Sequence, residues 1–460
     1  MTSTGPRRPR LLYLAFYFPP SRASGVYRTR ATANHFADAG WDVTVFAAPL
    51  PFLYDVVGSV DEKLLETVDP RITVERPELN LYRWQHELRE MNWFRGTLPT
   101  VAKRFFEWRE GKQFPEQYVS WARSSIARAV KLHRREKFDA VLATGNPFAA
   151  FAAAWAIRRL TGVPYVIDYR DSWTLDLFSD GPAFPKGHPA WKWERRVIGK
   201  SAATVFVNNA LREWHAERYP DAADRMLVVP NGWDPDLLDV GPEQPGAVLD
   251  RRRPLTFGYL GTVTSKQPVE EMAAAFERAR THPDLAGAEL NIYGHLGFFR
   301  HSHASFLPRL GLNLHGKVDP ALDTGIRLRG PVSKTDVSSV YAGSDVLVFL
   351  AGGGRYVTSG KIFEYMATGR PIVSVHAPDI AAREVLRDYP LWFTADSLDI
   401  DQLAQSFIAA GKAARDAGPE LRAAARRYAD QYQRDTLLEP LAERMLSLVR
   451  QPVPVSEASA

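Results

Sequence analysis

Cysteine is absent from the 460 residues, so the chain has no disulfide framework, no thiolate nucleophile and no cysteine-held metal or iron–sulfur cluster. That fits a reducing compartment. No run of about 18 apolar residues occurs, and no transmembrane helix is expected. Arg7-Arg8-Pro9-Arg10 followed by the apolar stretch 11–18 imitates a secretory leader. The run stops at Pro19-Pro20, however, and no small-residue cleavage site follows, so a buried first strand behind a basic tail is the better reading. A cytoplasmic location follows as the expectation. The G-x-S-x-G elbow of the hydrolases is missing, and Gly352-Gly-Gly354 lacks the GK[ST] ending of a phosphate-binding loop. No repeat of 20–50 residues is present, which excludes a solenoid. Charge of one sign is not in large excess. The 58 basic and 53 acidic residues leave +5, which permits a phosphate-bearing substrate or an anionic membrane surface and demands neither.

What is present is a strand–loop–helix rhythm. With 45% hydrophobic and 24% charged residues the composition is that of an ordinary globular protein. Short apolar runs at 11–18, 42–48, 139–144, 165–168, 203–208 and 225–230 read as buried strands, with helices at 29–39 and about 147–160. The rhythm restarts with strands at 256–260, 289–293, 325–328, 346–350 and 371–375. Helices are expected at 268–281 and 361–368, a helical turn at 337–342, and terminal helices at 402–417 and 419–449. Repeated βαβ units imply parallel sheets covered on both faces. The expected fold is therefore α/β, with two doubly wound Rossmann-like halves. The N-terminal half spans 1–236, a Pro- and Gly-rich linker 237–254, and the C-terminal half 255–432. A terminal helix at 433–450 is expected to return to the N-terminal half, and 451–460 is a tail. About 51–123 breaks the rhythm. It reads as an insertion rich in aromatic and basic residues, among them Trp84, Trp93, Phe94, Phe105, Phe106, Trp108 and Trp121.

In open α/β sheets ligands lie beyond the carboxyl ends of the strands, so strand-to-helix junctions carry the information. Gly360 precedes a helix whose first amides suit a phosphate. Lys361 in its first turn either faces an anion or points to solvent. Glu364, one turn in, either reaches a diol or belongs to a solvated helix face. Asp168, Arg170 and Asp171 end an N-terminal strand, where a carboxylate orients an acceptor hydroxyl or takes its proton. The competing reading is a helix cap or an Arg–Asp pair. Asp234-Pro-Asp236 and Asp399-Ile-Asp401 have a metal-like spacing but read as solvated acids. His301-Ser-His303 lacks a third ligand and reads as a polar loop.

The segment GKIFEYMATGRPIV, 360–373, resembles the nucleotide-binding signature of retaining glycosyltransferases of the GT-B fold, and more narrowly their family-4 group. Val228-Val-Pro-Asn-Gly-Trp-Asp234, Phe257-Gly-Tyr-Leu-Gly261, Asn291-Ile-Tyr-Gly294, Arg329-Gly330 and Tyr341-Ala-Gly-Ser-Asp-Val-Leu-Val348 resemble further pieces of that pattern, in order. Pro164-Tyr-Val-Ile-Asp-Tyr-Arg-Asp-Ser-Trp173 resembles the variant of amino-sugar and deoxysugar transferases, and 17–25 resembles the N-terminal glycine loop. The resemblance implies transfer of a sugar, with retention, from a nucleoside diphosphate sugar. The acceptor would be a glycan, a lipid-linked glycan or a small molecule.

The resemblance also implies roles. Glu364 would bind the donor ribose, and Ser359 and Gly360 would approach the diphosphate. Lys266, just after the Gly261 turn, would neutralise that diphosphate. Gly25 would join the donor loop, and Asp168, Arg170 and Asp171 would be catalytic. No metal and no other cofactor is implied, and no nucleic-acid partner. Two positions depart from the pattern. Tyr356 stands where a second glutamate is usual, and Thr262 where an arginine is usual. A sugar-nucleotide epimerase on the same fold and a non-catalytic binding protein are the alternatives. The insertion either packs as a small core or, with Arg7–Arg10, holds the protein peripherally at the inner face of the plasma membrane.

Overall fold

The computed structural model describes residues 7–81, 93, 97–111, 115–177, 179–239, 250, 253–297, 303–312 and 323–450. The chain divides into two compact units. One comprises Met1–Asp176, Pro182–Val229 and Leu438–Ala460; the other comprises Leu177–Gly181 and Pro230–Leu437. Trp84, Phe94, His301 and the tail 451–460 fall outside the described residues.

The first unit is built on a seven-stranded sheet in the order β3-β2-β1-β4-β5-β8-β9. Its strands are β1 (Arg10–Leu14), β2 (Asp42–Phe46), β3 (Thr73–Glu75), β4 (Ala140–Gly145), β5 (Tyr165–Tyr169), β8 (Ala203–Phe206) and β9 (Met226–Val228). Two further short strands, β6 (Leu175–Asp176) and β7 (Gly181–Pro182), form a separate two-stranded ribbon. All neighbours in the large sheet are parallel. The helices are α1 (Val26–Asp38), α2 (Pro99–Gly111), α3 (Val119–Arg135), α4 (Ala149–Thr161), α5 (Pro189–Lys200) and α6 (Asn209–Arg218). Central strands such as Leu11–Leu14 and β4 are buried along their length, which is why they read as continuous apolar runs rather than alternating ones.

The second unit holds a six-stranded parallel sheet in the order β12-β11-β10-β13-β14-β15. The strands are β10 (Thr256–Leu260), β11 (Glu289–Tyr293), β12 (Ile326–Leu328), β13 (Val346–Leu350), β14 (Ile372–Val375) and β15 (Trp392–Thr394). One face of the sheet is covered by α7 (Val269–Arg280), and after the short α8 (His303–Phe306), α9 (Val337–Ala342), α10 (Lys361–Ala367) and α11 (Ala382–Leu386) comes α12 (Ile400–Asp416), which packs beside α7. Phe257, Phe276 and Phe407 meet there with ring centroids 5.2–5.7 Å apart. Each such buried ring contributes about 1.5–3 kcal/mol. The opposite core gathers Ile362, Phe363 and Met366 of α10 with Ala425 and Ala429 of α13 (Pro419–Asp430). The last helix, α14 (Arg434–Arg450), starts in this unit and from Leu438 on belongs to the first.

Several expectations need correction. The first helix starts at Val26, not 29, because Gly25 ends the preceding loop. The stretch 51–123 is not wholly an insertion: Thr73–Glu75 extends the sheet beside β2, a three-residue strand too short to show a period. Trp121 is core, fully buried with its Nε1–H donating to Ala47 O at 3.1 Å. The second unit begins at Pro230, so the linker region is partly structured. Leu237 and Leu238 are buried. Asp234 is not a solvated acid but a buried partner of Arg434 Nε at 2.8 Å. Asp399 caps α12 by accepting from the amides of Asp401 and Gln402. The terminal stretch 419–449 is two helices, broken at 431–433. Arg7 and Arg10 do not form a loose basic tail: Arg7 pairs with Asp139 at 2.7 Å, and Arg10 pairs with Asp42 and Glu136.

Candidate functional site

The strand order of the second sheet reverses between β10 and β13, which is where doubly wound folds hold ligands. The chain beyond β10 turns through Gly261 at φ +135°, a conformation side chains rarely adopt. A Cβ there would stand 1.7 Å from Lys361 Nζ. Gly294, beyond β11 at φ +148°, is held as tightly: its Cβ would stand 2.2 Å from Gly261 O. Two glycines and the ammonium group of Lys361 therefore share a space that admits no extra methyl group. Lys361 Nζ also lies 5.6 Å from the Tyr259 ring centroid. Burial, helped by nearby Lys334, brings its pKa down from the usual lysine value to about 8, although Glu364 opposes the shift.

Glu364 lies one turn into α10, where its two carboxylate oxygens have separate partners. Oε1 forms an ion pair with Lys334 Nζ, and Oε2 accepts from Tyr341 OH at 2.8 Å. Lys334 is buried and Glu364 half-buried, so this is an enclosed pair rather than a solvated helix face. Tyr365, the next residue, accepts the Leu260 N–H at 3.1 Å and ties α10 to the end of β10. Ser359 O accepts the amide of Ile362 at 3.3 Å, and Gly360 leads into the helix without a side-chain cap. Among the described residues, and apart from its chain neighbours, nothing lies within 4 Å of a Cβ built on Gly360.

The turn after Gly261 is fastened by Gln267. Its Nε2 donates to Leu350 O at 2.9 Å and to Tyr259 OH at 3.3 Å, and its Oε1 accepts from the Thr264 amide at 2.7 Å. Lys266 is exposed in this turn, and its carbonyl presses on Gly352, where a Cβ would stand 1.9 Å away. Gly352 is thus a close-approach glycine. Tyr356 OH donates to Asp180 Oδ1 at 2.5 Å, within the same unit.

The structure brings Gly261, Ser359, Gly360, Lys361 and Glu364 to one edge of the second sheet. The cation seated on the glycine turn is Lys361, whereas the Lys266 side chain is exposed. Gly25, Asp168, Arg170 and Asp171 belong to the first unit. There Asp168 is buried and accepts from Arg28 Nε and Nη2, both at 2.8 Å, so a long-range Arg–Asp pair accounts for its carboxylate. Arg170 pairs with Asp171 at 3.0 Å and lies over Gly25, where a Cβ would stand 1.3 Å from Nη1. Sequence reasoning missed Lys334 and Gln267. Neither belongs to a recognisable motif, and each acts on a residue far along the chain. Among the described residues no group of three or more His, Asp or Glu side chains is arranged to hold a metal ion.

The Gly261 seat makes a direct prediction. Gly261→Ala must displace Lys361 and adopt a strained φ, so nucleotide affinity should fall about tenfold or more, with a strain cost of about 1–3 kcal/mol. Calorimetric titration with a nucleoside diphosphate, beside a thermal melt, checks it; unchanged affinity would mean that the seat is not used.

Residues 25–232 match the family model described as a glycosyl transferase 4-like domain, and residues 254–410 match that of glycosyl transferases group 1. No curated protein matches the chain. Solved structures share its fold. A glycosyltransferase from Rickettsia africae is 13% identical with a TM-score of 0.64, over 97% of this chain and 100% of that one. Sucrose-phosphate synthase from Thermosynechococcus elongatus is 15% identical with a TM-score of 0.63, over 96% and 99%. Anabaena HepE in complex with UDP and glucose is 14% identical with a TM-score of 0.60, over 96% and 100%. At such identities the likeness shows the GT-B fold alone. The two family models, matched in chain order and covering both halves, show that the chain belongs to the glycosyl transferases.

Proposed function

We propose that the protein moves a sugar from a nucleoside diphosphate sugar, held by the second unit, to a hydroxyl-bearing acceptor held by the first. The observation that carries this reading is the seating of Lys361 on the Gly261–Gly294 turn, one helical turn from Glu364. Breaking the anomeric bond leaves growing negative charge on the departing diphosphate. A fixed, partly desolvated cation stabilises that charge more than a solvated one does. Glu364 takes the ribose hydroxyls. Each of its oxygens accepts from one protein donor and has a second lone pair to offer, since a carboxylate provides about four acceptor sites. The related HepE was solved with UDP and with UDP-glucose, which supports a nucleotide-sugar donor. Retention at the anomeric carbon is part of the proposal, by family resemblance. So is independence of metal, because Lys361 supplies a positive charge at the diphosphate.

Incubation with a panel of sugar nucleotides tests the reading. Transfer or slow donor hydrolysis that survives EDTA supports it. Conversion to an epimer, or binding without turnover, would replace it with another activity on the same fold.

We also propose weak peripheral membrane association on the cytoplasmic side. No described helix is long and apolar enough to cross a membrane. On α2, however, Val101, Phe105 and Trp108 recur at helical spacing and stay exposed at 53%, 46% and 56%, with Lys103 and Arg104 exposed beside them. Such a stripe suits a bilayer interface. Anionic vesicles should co-sediment the protein at low salt, and Phe105→Ser with Trp108→Ser should abolish this without unfolding. No binding at low salt would favour a soluble acceptor.

A further inference from the structure

The first sheet has its own reversal of strand order, between β1 and β4, and side chains the donor account does not use converge there. Tyr17 lies three residues beyond β1, its carbonyl accepting from Thr29 Oγ1 at 3.0 Å. Its hydroxyl stands 3.4 Å from Tyr118 OH. Glu116, two residues before Tyr118, reaches the start of α4, the helix that follows β4. There its Oε2 accepts from the Ala149 N–H at 3.3 Å, and the Phe148 amide also donates to it. Arg170, just beyond β5, completes the edge. Burial raises the Tyr17 phenol above its usual range, Tyr118 and Glu116 add to the rise, and Arg170 opposes it. Glu116, Tyr17 and Tyr118 are all half-buried, which suits neither a solvated surface nor a closed core. Burial holds the Glu116 carboxyl above its usual range even though the α4 amides pull the other way.

We propose that Glu116, Tyr17 and Tyr118 form a subsite that binds the hydroxyls of a neutral sugar acceptor. The proposal rests on the reading that the first unit binds the acceptor. A sugar presents neighbouring hydroxyls, each both donor and acceptor. Glu116 supplies acceptor oxygens beyond those taken by the two amides, and the phenols can donate or accept. The chemistry selects against an anionic ligand. Glu116 would repel one, and the nearby guanidinium of Arg170 is already paired with Asp171.

Saturation-transfer NMR on the full chain tests the subsite, using the methyl glycosides of glucose, galactose, mannose and N-acetylglucosamine as probes. At least one glycoside should bind the wild type at millimolar concentration. Its Kd should rise about tenfold or more in Glu116→Ala and severalfold in Tyr17→Phe, as expected for a lost hydrogen bond to a charged and to a neutral group. Affinity for UDP should not change. Should Glu116→Ala unfold by circular dichroism, Glu116→Gln decides, because it can still accept from the α4 amides and should bind glycosides severalfold more weakly. Absence of glycoside binding by the wild type, or a Kd unmoved by Glu116→Gln and Tyr17→Phe, overturns the subsite. Failure of the donor reading looks different: the wild type would bind none of UDP, GDP and dTDP, or Glu364→Ala would leave nucleotide affinity intact.

Discussion

Lys361→Ala should lower kcat/KM for the donor about 100- to 1,000-fold, the usual effect of removing one preorganised group that stabilises transition-state charge. Much of the loss should fall in kcat, because charge on the leaving diphosphate is larger in the transition state than in the bound donor. The contrast is Lys266→Ala, which removes an exposed cation from the same turn and should cost less than about tenfold, by solvent screening. A pH series sharpens the result. The pKa of Lys361 is lowered to about 8, so the cation is present below that pH and is lost as pH rises through it. Donor kcat/KM, which reports the free enzyme, should therefore fall on the alkaline side of pH 8 in the wild type, and this limb should be missing in Lys361→Ala. Steady-state kinetics with a donor that is hydrolysed or transferred provides both readouts. A mutant with wild-type kcat would make Lys361 a structural lysine.

The second large effect is expected at Glu364. Glu364→Ala removes the proposed ribose acceptor and also leaves Lys334 buried without its carboxylate. A hydrogen bond to a charged group is worth about 1.5–3 kcal/mol, so nucleoside diphosphate affinity should drop roughly 10- to 150-fold. Stability should fall by about 1–3 kcal/mol, because the buried Lys334 ammonium loses the carboxylate that offsets its desolvation. Glu364→Gln should recover most of the stability, since its amide oxygen can still accept from Tyr341 or Lys334, but not the full affinity. Calorimetry and thermal melts on the two variants separate the roles. Equal UDP affinity in all three proteins would remove Glu364 from the nucleotide site.

Much of this architecture is legible because buried parallel strands write themselves as short apolar runs. Val346–Leu350 and Glu289–Tyr293 appear in the sequence at the bounds the structure shows. What escapes is short or distant. Thr73–Glu75 and Trp392–Thr394 are three-residue edge strands with no buried residue, so neither writes an apolar run, whereas the equally short β9 and β12 each begin on a buried one. In α5 and α6 polarity does not track burial: Glu194 and His215 are fully buried, whereas Trp193 and Trp214 stay half-buried under Arg196 and Arg218. At the site, the GKIFEY segment points to α10 and Glu364. By resemblance the sequence assigns Lys266, just after the Gly261 turn, to the diphosphate and leaves Lys361 facing either an anion or solvent; what it does not show is that a glycine turn without Cβ seats the ammonium of Lys361, a lysine far along the chain. Lys334 is invisible for the same reason: its partner is 30 residues on, and only the packing of α9 beside α10 brings them together. Asp168 is visible as a strand-end acid, but its partner Arg28 lies 140 residues earlier.

The most direct test of the proposed donor site is hydrogen–deuterium exchange of the full chain with and without UDP, repeated with GDP and dTDP. Nucleotide-dependent protection should be confined to the amides beyond β10 and at the start of α10, around 259–264 and 359–366, and should be lost in Lys361→Ala. Protection centred on the first unit, or none at these two segments with any of the three nucleotides at saturating concentration, would contradict a donor site in the second unit.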